Sequence, residues 1–286
     1  MNPKTLLELA SFAYLDLPER YQRRLDAGET VPLSEVAREL RRVNDLGALQ
    51  CGAYLERAGP LLEALGQSRI RIAGYIDNNR TSGFVAYAFL APGREAVVAV
   101  RGSEMRSRCV PSNVDWRDNV CAPLAGSVQY QDAVAFADRF AEGPLILTGH
   151  SKGGNVALWA QGGAENPRAR AAVFNAQGFA RDALPRERRV RMRLGAVNYV
   201  VAGDLIGALL YHPEKRFFVK QVPGTNAHSP EAFSFDEQGF PIPAGRTIAS
   251  VGVEILSRAL LVLQRLGFAP GAWKLLNCPE PGRNTI

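Results

Sequence analysis

The stretch "PLILTGHSKGGNVALWA", Pro144 to Ala160, constrains the fold more than any other part of this chain. The apolar run "LIL" suits a buried strand, and "GNVALWAQGGAE" has the spacing of a helix. Between them lies Gly149-His150-Ser151-Lys152-Gly153. A strand that turns at once into a helix leaves almost no room for side chains beside the turn, and glycine meets that demand. Ser151 then stands at the tip of a sheet with its hydroxyl outward. A glycine-rich turn could do no more than join two elements, so the chemistry depends on what else the chain supplies.

The surrounding pattern is that of an α/β protein. "IRIAGYID", "GFVAYAFLAP" and "EAVVAVRG" are short β-branched and aromatic runs, with "PGR" as a hairpin turn between the last two. "SVQYQDAVAFADRFAE" reads as a helix, while "AAVFNAQG" and "LGAVNYVVAG" read as strands separated by a charged helical stretch. Strands alternating with helices predict a mostly parallel central sheet flanked by helices. Before it, from Leu6 to about Leu65, apolar residues recur at three and four residue spacing and predict a helical section. After Ser229 come a turn-rich linker and a last helix, expected to pack on the core. The length of 286 residues fits one domain, divided into an N-terminal helical section (1–66), a core (69–228) and a C-terminal loop and helix (229–286).

Composition removes several function classes. Apolar residues at 47% and charged residues at 22% are ordinary for a globular chain. The net charge of +6 comes largely from dispersed arginines mixed with acids, without the aromatic-interleaved basic stripe of a nucleic-acid binder. That surface does leave room for peripheral contact with anionic lipid. Cys51, Cys109, Cys121 and Cys278 form no CxxC pair, so neither a zinc site nor a dense disulfide framework is indicated. Reduced thiols fit best, with a Cys109 to Cys121 bridge left open. The N-terminus lacks the apolar segment and cleavage site of a signal peptide, and the C-terminal apolar stretch is broken by Glu254, Arg258 and Arg265. A cytoplasmic location is expected.

A serine needs a base to become a nucleophile, and the base needs an orienting carboxylate. The chain has three histidines. His150 adjoins Ser151, so its side chain should point away and brace the turn. His228 lies in the loop-like "VPGTNAHSPEAF" beyond the late strands and is favoured over His212, which reads as a partly buried, hydrogen-bonded side chain. Asp204, ending the apolar run "AVNYVVAG", is the candidate acid, whereas Asp182 among arginines reads as a surface charge or helix cap. The backbone N–H groups of Lys152, at the helix start, and Ser103, after "VVAVRG", are candidate donors to a developing oxyanion. The ammonium of Lys152 reads as solvated.

These segments together carry a resemblance. "VVAVRGSE", "DWRDNV" and "LTGHSKGGNVALWA", followed by an aspartate after a strand and a later loop histidine, resemble the class 3 lipase group of α/β-hydrolases. Within it, "GHSKGGN", the short Asp-to-His interval and the long N-terminal helical segment look like the Mbeg1-like family, over roughly Tyr75 to Phe235. The resemblance implies an α/β-hydrolase fold and a carboxylic ester hydrolase with Ser151 as nucleophile, Asp204 as acid, His228 as base, and Ser103 and Lys152 as oxyanion hole. It further implies that Trp116 and Asp118 organise the loop behind that hole. Two departures stand out: "EMRSRCVPSNV" is longer than the equivalent loop in lipases, leaving the shape of the acyl pocket open, and Val100 stands where an aromatic is common. The implied reaction uses no metal or organic cofactor, and its partner is a small-molecule or lipid ester. A catalytically silent binding module of the same fold, or a thioesterase or phospholipase acting at a membrane surface, are the alternatives.

Overall fold

The computed structural model describes residues 1–42, 58–93, 95–103, 123–124 and 126–266. Cys51, Cys109, Cys121, Cys278, Trp116, Asp118 and the "EMRSRCVPSNV" loop lie outside them. Eight strands form one sheet in the order β1 to β8. They are β1 (Val31–Pro32), β2 (Arg71–Asn78), β3 (Phe84–Leu90), β4 (Ala96–Val100), β5 (Leu145–Gly149), β6 (Arg170–Phe174), β7 (Ala196–Val201) and β8 (Lys215–Val219). Neighbours from β1 to β4 pair antiparallel, and those from β4 to β8 pair parallel.

The helices α1 (Pro3–Phe12), α2 (Glu19–Asp26), α3 (Leu33–Arg42) and α4 (Ala58–Leu65) precede the main strands. Three more, α5 (Val128–Asp138), α6 (Lys152–Gly163) and α7 (Arg186–Gly195), connect the parallel strands β4 through β7. Right-handed crossovers between strands added always on the same side place every connecting helix on one face. The core divides accordingly. Tyr130, Ala133 and Phe136 of α5, Val156, Ala157 and Leu158 of α6 and Met192 of α7 pack with Phe84, Ala86, Val98 and Val100 of the strands. The opposite face is covered largely by the N-terminal section, whose Leu6, Leu9, Phe12, Val36 and Leu62 pack on Tyr87, Phe89, Val97 and Ala99. With both faces covered, β3 and β4 are apolar at every position, "FVAYAFL" and "AVVAV".

A buried arginine fastens that section to the sheet. Arg101, just past β4, donates from Nε to the Ala13 carbonyl (2.6 Å) and from Nη2 to the Leu15 carbonyl (3.0 Å) and Asp16 Oδ1 (2.8 Å). Tyr87 Oη adds a bond to the Leu15 carbonyl at 2.7 Å. The planar guanidinium suits several fixed acceptors at once.

The last helix, α8 (Ile248–Arg265), departs from expectation. It does not bury its apolar residues: Ile248 is 92% exposed, Ile255 64% and Leu256 59%. Both faces of the sheet are already occupied, which leaves α8 attached through polar contacts. Glu254 receives Arg216 (2.8 Å) and Arg246 (2.7 Å), and Ser257 Oγ accepts the Leu210 N–H (3.0 Å). Burial pushes the Glu254 carboxyl upward, but the two arginines outweigh it and hold its pKa below the usual carboxylate value. No described helix is long and apolar enough to cross a membrane.

Arg101→Met is expected to remove the guanidinium bonds to the Ala13 and Leu15 carbonyls and to Asp16, a loss of about 3 kcal/mol. Urea denaturation monitored by circular dichroism checks it, and faster proteolysis within residues 1–20 should accompany the lower midpoint.

Candidate active site

The turn after β5 is built by backbone contact. A Cβ on Gly149 would lie 2.4 Å from the Gly153 carbonyl carbon, and a Cβ on Gly153 would lie 2.3 Å from the Val100 carbonyl oxygen. The start of α6 is thus pressed against both β5 and the end of β4, and any side chain at either glycine would push them apart. Ser151 is held at φ 57° and ψ −127°, a backbone state that costs a non-glycine residue of order 1–3 kcal/mol. Its N–H donates to the Phe174 carbonyl at 2.9 Å, and its carbonyl accepts from the Asn155 N–H at 3.2 Å. Asn155 is itself fully buried, accepting from Tyr130 Oη at 2.5 Å and donating to the carbonyls of Gln177 and Gly178, both at 3.1 Å.

Ser151, His228 and Asp204 come together from three parts of the chain. Ser151 Oγ is 2.8 Å from His228 Nε2, and His228 Nδ1 is 2.9 Å from Asp204 Oδ1. A carboxylate only accepts, so Nδ1 carries the proton and the Nε2 lone pair faces the serine hydroxyl. Asp204 is 2% exposed and is fixed by backbone donors: Gly207 N–H to Oδ2 at 2.7 Å and Ile206 N–H to Oδ1 at 3.2 Å. It therefore caps the following turn and orients the histidine together.

The remaining candidates fall elsewhere. His212 pairs with Glu214, Nδ1 to Oε1 at 2.7 Å, in the interior and apart from the serine. Asp182 is a surface group in contact with Arg265. Ser103 follows Gly102, where a Cβ would meet Tyr14 Oη at 2.0 Å and the His150 carbonyl at 2.7 Å, so the end of β4 runs directly beside the elbow. Lys152 opens α6, but its side chain is buried at 3% exposure, correcting the expectation of a solvated ammonium. Gly153 beside it is docked on Val100 and Arg101, so this turn begins inside the fold rather than at its surface.

His150 turns away from Ser151 and reaches the His228 loop instead, its Nε2 lying 2.6 Å from the His228 carbonyl oxygen and its Nδ1 3.2 Å from Tyr14 Oη. Burial, reinforced by the nearby His228, pushes its pKa well below the ordinary histidine value. Sequence reasoning missed Asn175, fully buried at φ 47°. Its Nδ2 donates to the Ala227 carbonyl and its Oδ1 accepts the Val201 N–H, both at 2.9 Å. The visible signal was a lone asparagine in "AAVFNAQG", directly after an apolar strand. A cleft of about 440 Å³ lies behind the same loop, lined by Leu7, Leu61, Val222, Pro230 and Phe233 among others, but neither Ser151 nor His228 lines it.

A sheet turning from antiparallel to parallel, with a serine elbow after β5, an acid after β7 and a histidine after β8, is the α/β-hydrolase arrangement. The Mbeg1-like family model matches residues 68–258, and the chain belongs to that family. Among solved structures, a mutant form of MDLA from Penicillium cyclopium is similar at 14% identity and a TM-score of 0.46, covering 84% of this chain and 90% of that one. The Rhizomucor miehei lipase propeptide complex gives 11% identity and 0.43 over 80% and 73%. Mono- and diacylglycerol lipase from Aspergillus oryzae gives 12% and 0.42 over 84% and 90%. No curated protein matches the chain.

A histidine buried neutral makes stability depend on pH with a definite sign. Its folded pKa lies below the unfolded value of 6.5, so the unfolded chain takes up a proton first as pH falls. Stability contributed by His150 is complete above pH 6.5 and is lost on acidification, with a slope approaching about 1.4 kcal/mol per pH unit. Urea midpoints from pH 7.5 to 5 should show this component in the wild type and not in His150→Gln.

Proposed function

We propose that this protein is a serine hydrolase that cleaves carboxylic esters through an acyl-enzyme. The observation that carries the reading is the continuous chain Asp204–His228–Ser151, at 2.9 and 2.8 Å. Ser151 Oγ attacks the acyl carbonyl while His228 Nε2 takes its proton, and Asp204 stabilises the imidazolium that results. The backbone N–H groups of Ser103 and Lys152 receive the oxyanion, with the dipole of α6 favouring the negative charge. Collapse expels the alcohol, which leaves with the proton from His228. Water, deprotonated by the same histidine, then releases the acid and restores Ser151. The substrate is a small-molecule or lipid ester.

The decisive assay uses p-nitrophenyl esters of several chain lengths with fluorophosphonate labelling. Ser151→Ala should lower kcat by about 10³-fold or more and abolish labelling. Asp204→Asn should lower kcat by about 10⁴-fold, because the histidine is then free to take the wrong tautomer. A wild type that neither hydrolyses any of the esters nor reacts with the fluorophosphonate would point to a silent binding module of this fold.

A second reading, hydrolysis at a membrane surface, is favoured by α8. Ile248, Ile255, Leu256, Leu260 and Val262 are all more than half exposed, on a chain of net charge +6. Apolar burial combined with attraction to anionic headgroups is how an amphipathic helix binds an interface. Flotation should recover the protein with anionic vesicles, and Ile255→Asp should reduce that recovery several-fold without altering hydrolysis of a short soluble ester. Failure to float with anionic vesicles removes this reading and leaves the ester hydrolase intact.

A further inference from the structure

His228 sits in a loop whose own bonds fix its shape but not its place on the sheet. Gln221 Nε2 donates to the Thr225 carbonyl at 2.7 Å, Thr225 Oγ1 to the Val222 carbonyl at 2.6 Å, and the His228 N–H to Asn226 Oδ1 at 3.0 Å. Each of these joins residues within the loop. A base that must lie within hydrogen-bond reach of two groups on other elements needs an outside reference. Two buried side chains at neighbouring strand ends provide one. His150, following β5, meets the His228 carbonyl at 2.6 Å, and Asn175, following β6, meets the Ala227 carbonyl at 2.9 Å. Two successive peptide groups of the loop are gripped from two adjacent strands.

We propose that His150 and Asn175 are positioning residues, a two-point clamp on the loop backbone that holds the His228 ring in line between Asp204 and Ser151. The inference rests on the hydrolase reading above. Its geometry refers all three groups to one frame. His150 is joined covalently to Ser151. Asn175 uses the other end of its amide to accept the Val201 N–H, and the Val201 carbonyl in turn accepts the Asp204 N–H at 2.8 Å. One planar side chain therefore spans the loop of the base and the strand that delivers the acid.

The protonation states agree with a clamp. A carbonyl oxygen only accepts, so His150 Nε2 carries the hydrogen and Nδ1 is the acceptor for Tyr14 Oη. Burial keeps the ring neutral, which preserves this single tautomer. The partners of Asn175 likewise fix which end is nitrogen: a carbonyl on one side and an N–H on the other. Asn175 holds this pose at φ 47°, a left-handed conformation that asparagine tolerates better than most residues. A residue there merely to fill space would have no need of that backbone.

The test compares His150→Phe, His150→Gln and Asn175→Asp with the wild type, using kcat and KM for a p-nitrophenyl ester, the fluorophosphonate labelling rate, thermal melting, and the far-downfield proton resonance of the His228–Asp204 bond. His150→Phe removes the donor at similar size, and Asn175→Asp keeps the acceptor for Val201 while turning an oxygen toward the Ala227 carbonyl. Each should lower kcat and the labelling rate roughly 10- to 100-fold, the scale of a small misplacement of a reacting group. KM should stay within about twofold. His150→Gln, which retains an N–H donor, should recover most of the lost kcat, and the downfield resonance should broaden or move in the two impaired proteins only. Folded variants with wild-type kcat and only a lower melting temperature overturn the clamp. Should His150→Phe fail to fold, Asn175→Asp and His150→Gln decide it by the same readouts. An inert, unlabelled wild type overturns the hydrolase reading and the clamp with it, whereas an active wild type matched by its folded variants overturns the clamp alone.

Discussion

Everything at the site depends on the contact between two backbones, that of Gly149 at the end of β5 and that of Gly153 in the first turn of α6. Because they touch with no side chain between them, the helix begins directly over the strand, and the one residue at the summit takes the strained conformation seen at Ser151. The same closeness brings Val100 and Gly102 alongside. Strain at Ser151 persists because it is over-determined: bonds from Phe174 on one side and Asn155 on the other hold its peptide groups.

A second constraint comes from strand order. Adding each parallel strand on the same side leaves one face of the sheet to helices from outside the β/α succession, and the N-terminal section meets that need. It is also wired into the site. Arg101 grips the carbonyls of Ala13 and Leu15, and between them Tyr14 reaches His150. The helices that cover the sheet therefore end in a residue that contacts the group beneath the candidate base.

The parts legible in the sequence were those in which one local rule dominates. The elbow announced itself through glycines on both sides of a serine, and β2 to β7 through apolar runs bounded by turns. β8 was not foreseen: "KRFFV" is flanked by charges and only half covered, since it lies at the sheet's edge with its Phe217 exposed. The exposure of α8 escaped because periodicity tells which residues share a face, but not whether any surface remains for that face to meet. His228 could be singled out because the chain offers so few histidines, and Asp204 because it ends an apolar strand run. Asn175 could not, since nothing local distinguishes an asparagine that merely ends a strand from one that ties a loop to the neighbouring strand.

The contacts of His150 and Asn175 have a consequence for how this chain can change over time. Both hydrogen bonds end on carbonyl oxygens, which every amino acid carries. Residues lining the loop are thus free to drift toward different neighbours or substrates while the ring at 228 keeps its address. Variation is tolerated in the loop around His228, and the demand for a fixed identity falls on that histidine and on the two residues that do the holding.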